Sequence, residues 1–122
     1  MLMRDNLRLY PTMTAQIRKW QPDERITRVR NLALFLTGLY LSRKVHLSLI
    51  VRKWPTPGKV PRLVNRLQRF LDNPRVGVRD YYRPVAESLV GAFGDQPIRL
   101  IFDTTKLGFY HRLMTVSIAY RK

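Results

Sequence analysis

The spacing of the apolar residues changes once along this chain, and that change limits its architecture more than any other feature. Up to residue 93, apolar side chains recur three and four residues apart, as they do on helices with a buried stripe. From residue 98 they run together or alternate, as they do on strands. The pattern predicts a mainly α protein: a helical region over residues 1–95, then a two-stranded β-hairpin within residues 96–122.

Residues 1–10 carry weak helical character that Pro11 is expected to end, with a second short helical turn over residues 14–20. Gln21-Pro22-Asp23 breaks the pattern, and Asp23 is placed to cap the next helix. That helix starts at Glu24 or Thr27 and reaches Ser42. Ile26, Val29, Leu32, Ala33, Leu36, Leu39 and Tyr40 fall at helical spacing, and Leu34, Phe35 and Leu41 extend the apolar surface nearly all round. Such a helix is central, and Gly38 would let a neighbour approach closely. A third helix is expected over residues 44–54, with Val45, Leu49, Ile50 and Trp54 inward, before Pro55-Thr56-Pro57-Gly58 stops it. A fourth covers residues 60–71 and ends at Asn73-Pro74. A fifth covers residues 78–93, with a kink or late start at Pro84 and with Gly94 suited to its carboxyl end.

Ile98 to Phe102 reads as a short covered strand, with residues 104–110 as the link to a second. In the second, Met114, Val116, Ile118 and Tyr120 fall on one face and Leu113, Thr115, Ser117 and Ala119 on the other. A hairpin alone is marginal in water and leaves its edges unpaired. The expectation is therefore a chain cut off inside a domain whose other strands are elsewhere.

Charge identifies the class of partner. Twenty-three basic residues against eight acidic ones give a formal net charge of +15, which favours polyanions. Eleven of the basic residues lie between Arg25 and Leu71, where no acidic residue occurs. A single Lys or Arg merely solvates a surface, but an all-positive stretch folded into helices points to nucleic acid. The basic residues are spread over several segments rather than one broad amphipathic helix, which argues against a membrane surface. The longest apolar run, Leu32 to Leu41, is about half of the ~20 residues that cross a bilayer. Without cysteine there is no disulfide framework or thiolate metal site, and no export signal is present. The expected location is cytoplasmic, on the nucleoid.

Two constellations could carry function. On the helix over residues 60–71, Val60, Leu63, Val64, Leu67, Phe70 and Leu71 form one stripe, and Arg62, Asn65, Arg66 and Arg69 the opposite one. Arginine forks suit phosphates and guanine edges, and asparagine suits adenine. With Arg52, Lys53 and Lys59 before them, these are the expected DNA contacts, in a helix-turn-helix-like order whose turn exceeds the usual length. The second is Asp103, a carboxylate directly after an apolar strand, followed by Thr104 and Thr105. Ribonuclease H-like nucleases place a metal ligand this way, although a lone Asp there is more often a turn or cap residue. His46 and His111 are far apart and read as structural or exposed. Trp20, Trp54, Tyr81 and Tyr82 could stack on bases, but packing suits most of them better.

Several runs, taken in order, resemble a known family. Arg30-Asn31-Leu32-Ala33-Leu34-Phe35-Leu36-Thr37-Gly38-Leu39-Tyr40, Val45-His46-Leu47-Ser48 and Arg69-Phe70-Leu71-Asp72-Asn73 look like the start of bacterial DDE transposases of the insertion-sequence-four type. Ile98 to Lys106 resembles the strand bearing that family's first catalytic aspartate, and His111-Arg112-Leu113-Met114 its next strand. The resemblance spans about Ile26 to Tyr120. It implies a helical DNA-binding region followed by the start of a ribonuclease H-like core, with Asp103 as the first ligand of Mg²⁺ or Mn²⁺ in the complete enzyme. The second Asp and the Glu of that family are absent from this sequence, so the expectation is no bound metal and no strand cleavage by this polypeptide alone. The expected partner is double-stranded DNA at the terminal inverted repeats of an insertion element, with a homodimer or a full-length transposase as further partners. The alternative is a non-enzymatic DNA-binding protein that occupies element ends or inhibits the enzyme.

Overall fold

A computed structural model describes residues 4–94, 97 and 99–119. Met1 to Met3, Ile98 and Tyr120 lie outside the described residues, as does Asp95, where the expected boundary between regions falls. Five helices precede a two-stranded antiparallel sheet: α1 Asp5–Trp20, α2 Ile26–Ser42, α3 Leu47–Val51, α4 Val60–Asp72, α5 Val78–Gly91, β1 Arg99–Leu107 and β2 His111–Ala119. They form two compact units, Met1–Val85 and Ala86–Lys122, so the division falls inside α5. Among the described residues, no helix is long and apolar enough to cross a membrane.

In the first unit, α2 is central, packed against α1, α3 and α4. One part of the core joins Leu34 to Ile50, Val51 and Trp54, and to Leu63, Leu67 and Phe70 of α4. The other joins Ile17 of α1 to Val29 and Ala33. Gly38 is needed where α2 meets α3. A Cβ there would lie 2.6 Å from Ile50 Cγ2 and 3.0 Å from Trp54 Cδ1, and would also meet the Ile50 carbonyl.

Two helices differ from expectation, and a third holds a proline inside it. Pro11 does not end α1, which runs unbroken through it. The burial of Ile17, with Tyr10 and Met13 packed beside it, outweighs the lost amide bond. Hydroxyl groups just after the proline bond back to carbonyls before it, Thr12 Oγ1 to Arg8 O at 3.1 Å and Thr14 Oγ1 to Tyr10 O at 2.9 Å. In α3, only one helical turn forms instead of eleven residues. Arg43 caps α2 in the left-handed conformation at φ 55° and redirects the chain. Val45, expected inward, is 81% exposed, whereas Ile50 and Trp54 are buried. Beyond Val51 the backbone tightens, with Lys53 N–H donating to Ile50 O and Trp54 N–H to Val51 O, both at 3.1 Å.

Pro84 sits within α5, which starts at Val78 and not late. A proline at that position leaves the carbonyl four residues earlier without its amide. That carbonyl belongs to Asp80, and Gln21 Nε2 donates to it at 2.8 Å. Asp23 does not cap α2. Its N-cap is Arg25, without a side-chain hydrogen bond. The neighbouring Glu24 carboxylate is the one that engages, accepting from Arg25 N–H at 2.7 Å. Gly94 turns left-handed after α5, at φ 60°.

The second unit holds the hairpin. β1 pairs with β2 from Arg99↔Ala119 to Leu107↔His111, around residues 108–110 with Gly108 at φ 65°. β1 does not stop at Phe102. Thr104 and Thr105 are β-branched and continue it, and no breaker occurs before Gly108. The register sets Leu100, Phe102, Met114, Val116 and Ile118 on one face, and Ile101, Asp103, Leu113, Thr115 and Ser117 on the other. The first face is apolar from Leu100 to Phe102 and across to Met114, Val116 and Ile118 but carries Thr104, Lys106 and Arg112 toward the turn, and the second is mixed throughout. Both strands are exposed throughout except at Ile118, which is half-buried.

Candidate nucleic-acid interface

The α4 stripe forms as its spacing predicts. Leu63, Leu67 and Phe70 are buried, and Arg62, Asn65, Arg66 and Arg69 are exposed on the opposite side. Pro61 in the first turn suits the helix start, where a missing N–H costs nothing.

The exposed α4 side chains form one wall of a groove of about 870 Å³. The other wall is the start of α2, with Arg25, Thr27, Arg28 and Asn31; Asn73 and Arg75 lie beyond α4, and Phe70 is between. Six arginines and three asparagines thus converge, and among the described residues no carboxylate lines the groove. Guanidinium forks carry five donors each, so in that number they offer a dense set of hydrogen bonds suited to anionic oxygens.

The arginines differ in how they are held. Arg28 Nε pairs with Glu24 Oε1 at 2.7 Å, so its charge is largely offset. Glu24 also accepts from Tyr81 O–H at 2.9 Å, and its backbone carbonyl accepts from Arg18 at 2.6 Å. Burial pushes the Glu24 carboxyl up, but hydrogen bonds from Arg25 N–H, Tyr81 and Arg28, with the charge of Arg28, outweigh it and leave the group below its ordinary value. Burial and the bond to Glu24 push the Tyr81 phenol up to about 12. Arg66 is held without neutralisation: its Nε donates to Asn31 Oδ1 at 3.1 Å, and its Cζ lies 5.9 Å from the centre of the Trp54 ring. The side chains of Arg25, Arg62, Arg69 and Arg75 make no hydrogen bond or ion pair among the described residues.

Of the seven expected DNA contacts, Arg62, Asn65, Arg66 and Arg69 come together in the groove. Arg52 and Lys53 do not; they line a separate hollow beside Asp5, Asn6 and Leu41. Lys59 is exposed at the N-cap of α4 and is not among the residues lining the groove. The α2 wall was not expected, because α2 reads as a packing helix. Its signal was available: Arg25, Arg28 and Asn31 recur every three residues over its first two turns. With α3 only five residues long and residues 52–59 between it and α4, the α3–α4 pair departs from the compact helix-turn-helix geometry.

Asp103 lies at the middle of β1, exposed and opposite Thr115, rather than after the strand end. Thr115 Oγ1 donates to its backbone carbonyl at 3.4 Å. Among the described residues no three His, Asp or Glu side chains meet where a metal could sit. Mg²⁺ takes several oxygen ligands in a tight octahedron, so Asp103 alone does not make its site. His46 and His111 are both exposed. Of the four aromatic candidates, Trp54 is buried, Trp20 and Tyr81 are half-buried, and Tyr82 is exposed.

No protein-family model, curated protein or solved structure matches this chain.

Proposed function

We propose that the helical unit binds double-stranded DNA through the groove between α2 and α4, and that it does so as the DNA-binding region of a DDE transposase, on the ends of an insertion element. The observation that carries the DNA reading is the convergence of six arginines and three asparagines on one groove, with no carboxylate in its lining among the described residues. Phosphate contacts supply the affinity, and asparagine and arginine side chains can address base edges. The transposase reading rests on the family resemblance of the sequence. In that reading β1 carries the first catalytic carboxylate, Asp103, and further carboxylates of the complete enzyme would share its divalent metal.

The test is fluorescence anisotropy with a labelled duplex bearing a terminal inverted repeat and with a scrambled duplex, across a salt series. Binding that weakens linearly in log salt, tighter on the repeat, is expected. Failure to bind any duplex near 0.1 M salt, where screening is moderate, would remove the proposal. A second reading is a DNA-binding protein without strand-transfer chemistry, since the groove that carries the DNA reading is lined by residues of the helical unit alone. Plasmid nicking with Mg²⁺ or Mn²⁺ that disappears in Asp103→Ala would exclude it.

A further inference from the structure

We propose that Arg66 is the residue that reads base sequence in this groove, that it reads guanine, and that Asn31 and Trp54 are its positioning residues. The inference rests on the DNA reading above and assigns roles within that site.

The groove arginines fall into three states. Arg25, Arg62, Arg69 and Arg75 have untethered side chains, which suits phosphates, since a phosphate accepts hydrogen bonds from many directions. Arg28 is tied through Nε to the Glu24 carboxylate, whose negative charge opposes an incoming anion. Arg66 is the one tied by a neutral acceptor. Asn31 takes its Nε–H at 3.1 Å, and the Trp54 ring backs the guanidinium at 5.9 Å. The full charge remains, and both Nη groups keep their hydrogens free among the described residues.

That arrangement restricts the plane and direction of the fork before any ligand arrives. A base edge demands such restriction far more than a phosphate does. Guanine offers two acceptors, O6 and N7, side by side in the major groove, at the spacing of two guanidinium N–H groups. The position also fits. Arg66 is near the middle of the exposed α4 face, with Arg62 and Arg69 one turn to either side to take the flanking phosphates. The tethers come from different elements, Asn31 from α2 and Trp54 from the segment after α3, so the orientation exists only in the folded unit.

The experiment is selection of bound duplexes from a random-sequence library with the full chain, followed by affinity measurements on duplexes carrying single base-pair changes. Wild type is expected to enrich a motif with a fixed G·C pair. Arg66→Lys keeps the charge but loses the fork, and should lower preference for that pair roughly 10-fold. Asn31→Ala leaves Arg66 present but unheld. It should relax the same pair while affinity for unrelated duplex changes less than about threefold, as for lost orientation without lost charge. Asn31→Asp keeps an acceptor in place, so it should retain the G·C preference while lowering affinity for every duplex, because its carboxylate offsets the guanidinium. That split between preference and affinity separates a positioning role from a structural one, and thermal unfolding of each variant checks the fold. An unchanged motif in Asn31→Ala or Arg66→Lys would overturn the assignment. Tight wild-type binding without any base preference would overturn it too, leaving the groove as a phosphate site. Absence of all duplex binding would instead remove the DNA reading on which it rests.

Discussion

Leu67 and Val116 are both aliphatic residues on a regularly repeating face, yet Leu67 is 1% exposed and Val116 54%. The difference lies in what surrounds each element. In the helical unit, α2 offers apolar surface in several directions, and α1, α3 and α4 each cover part of it. The hairpin is one layer. Its two strands satisfy each other's backbone along one edge apiece, but nothing within a two-stranded sheet can cover the face of Leu100, Phe102, Met114 and Val116. A sequence pattern therefore specifies a face, while burial requires a second layer. The basic residues obey the same rule. They converge in number where two helices lie side by side, whereas the hairpin brings together only the facing pair Lys106 and Arg112, with Arg99 at its far end, all exposed.

This contrast can be tested through stability and binding. Leu67→Ala should have the largest effect, destabilising the helical unit by about 2–5 kcal/mol in urea unfolding tracked by helical circular dichroism, because it empties a fully buried position. A loss below about 1 kcal/mol, the size of an ordinary substitution, would mean that the α2–α4 packing is wrong.

Next in size is Tyr81→Phe, expected to cost about 1 kcal/mol by removing a hydrogen bond to a carboxylate. Its pH signature is more specific. The phenol value is raised from 10.0 to about 12, so its contribution is whole below pH 10 and disappears as pH climbs through the raised value. Glu24 runs the other way: being depressed from 4.5, its contribution is present above that value and lost as pH falls through the lowered one. Tyr81→Phe should abolish the alkaline loss specific to the phenol, as seen in unfolding midpoints between pH 9 and 12. An identical alkaline profile in the variant would dismiss the Tyr81–Glu24 bond.

Smaller still, Arg69→Ala should weaken duplex binding several-fold and reduce the salt slope by about one, as expected for one phosphate contact. Arg112→Ala, on the hairpin, should leave the slope unchanged. Equal effects would deny the groove its special status. Smallest of all is Val116→Ala, with less than about 0.5 kcal/mol expected at so exposed a position. A cost approaching that of Leu67→Ala would show that the hairpin face is covered in solution.

Much of this was legible from local pattern. The α4 stripe, the extent of α2, the close approach at Gly38 and the alternation in β2 come from spacing and residue size alone. Half of the candidate site was legible with them, because Arg62, Asn65, Arg66 and Arg69 share one helix face. The other half was not. Arg25, Arg28 and Asn31 lie in a helix dominated by its apolar residues, and nothing local says that its first turns run beside α4. Pro11 misled for a related reason. Pro11 and Pro84 carry a backbone cost within their own helices, but the packing of Ile17 and the amide of Gln21, 59 residues from Asp80, offset it.

Spacing, side-chain size and charge were enough to set the order of helices and strands, the apolar stripes of α2 and α4 and the strongly basic surface, since each depends on neighbours along the chain, but not where α1, α3 and β1 end. Tertiary structure alone decided which basic residues meet, where a proline is tolerated and which arginine is held in place. Those outcomes depend on groups distant in sequence, and short-range pattern holds no record of distances between them.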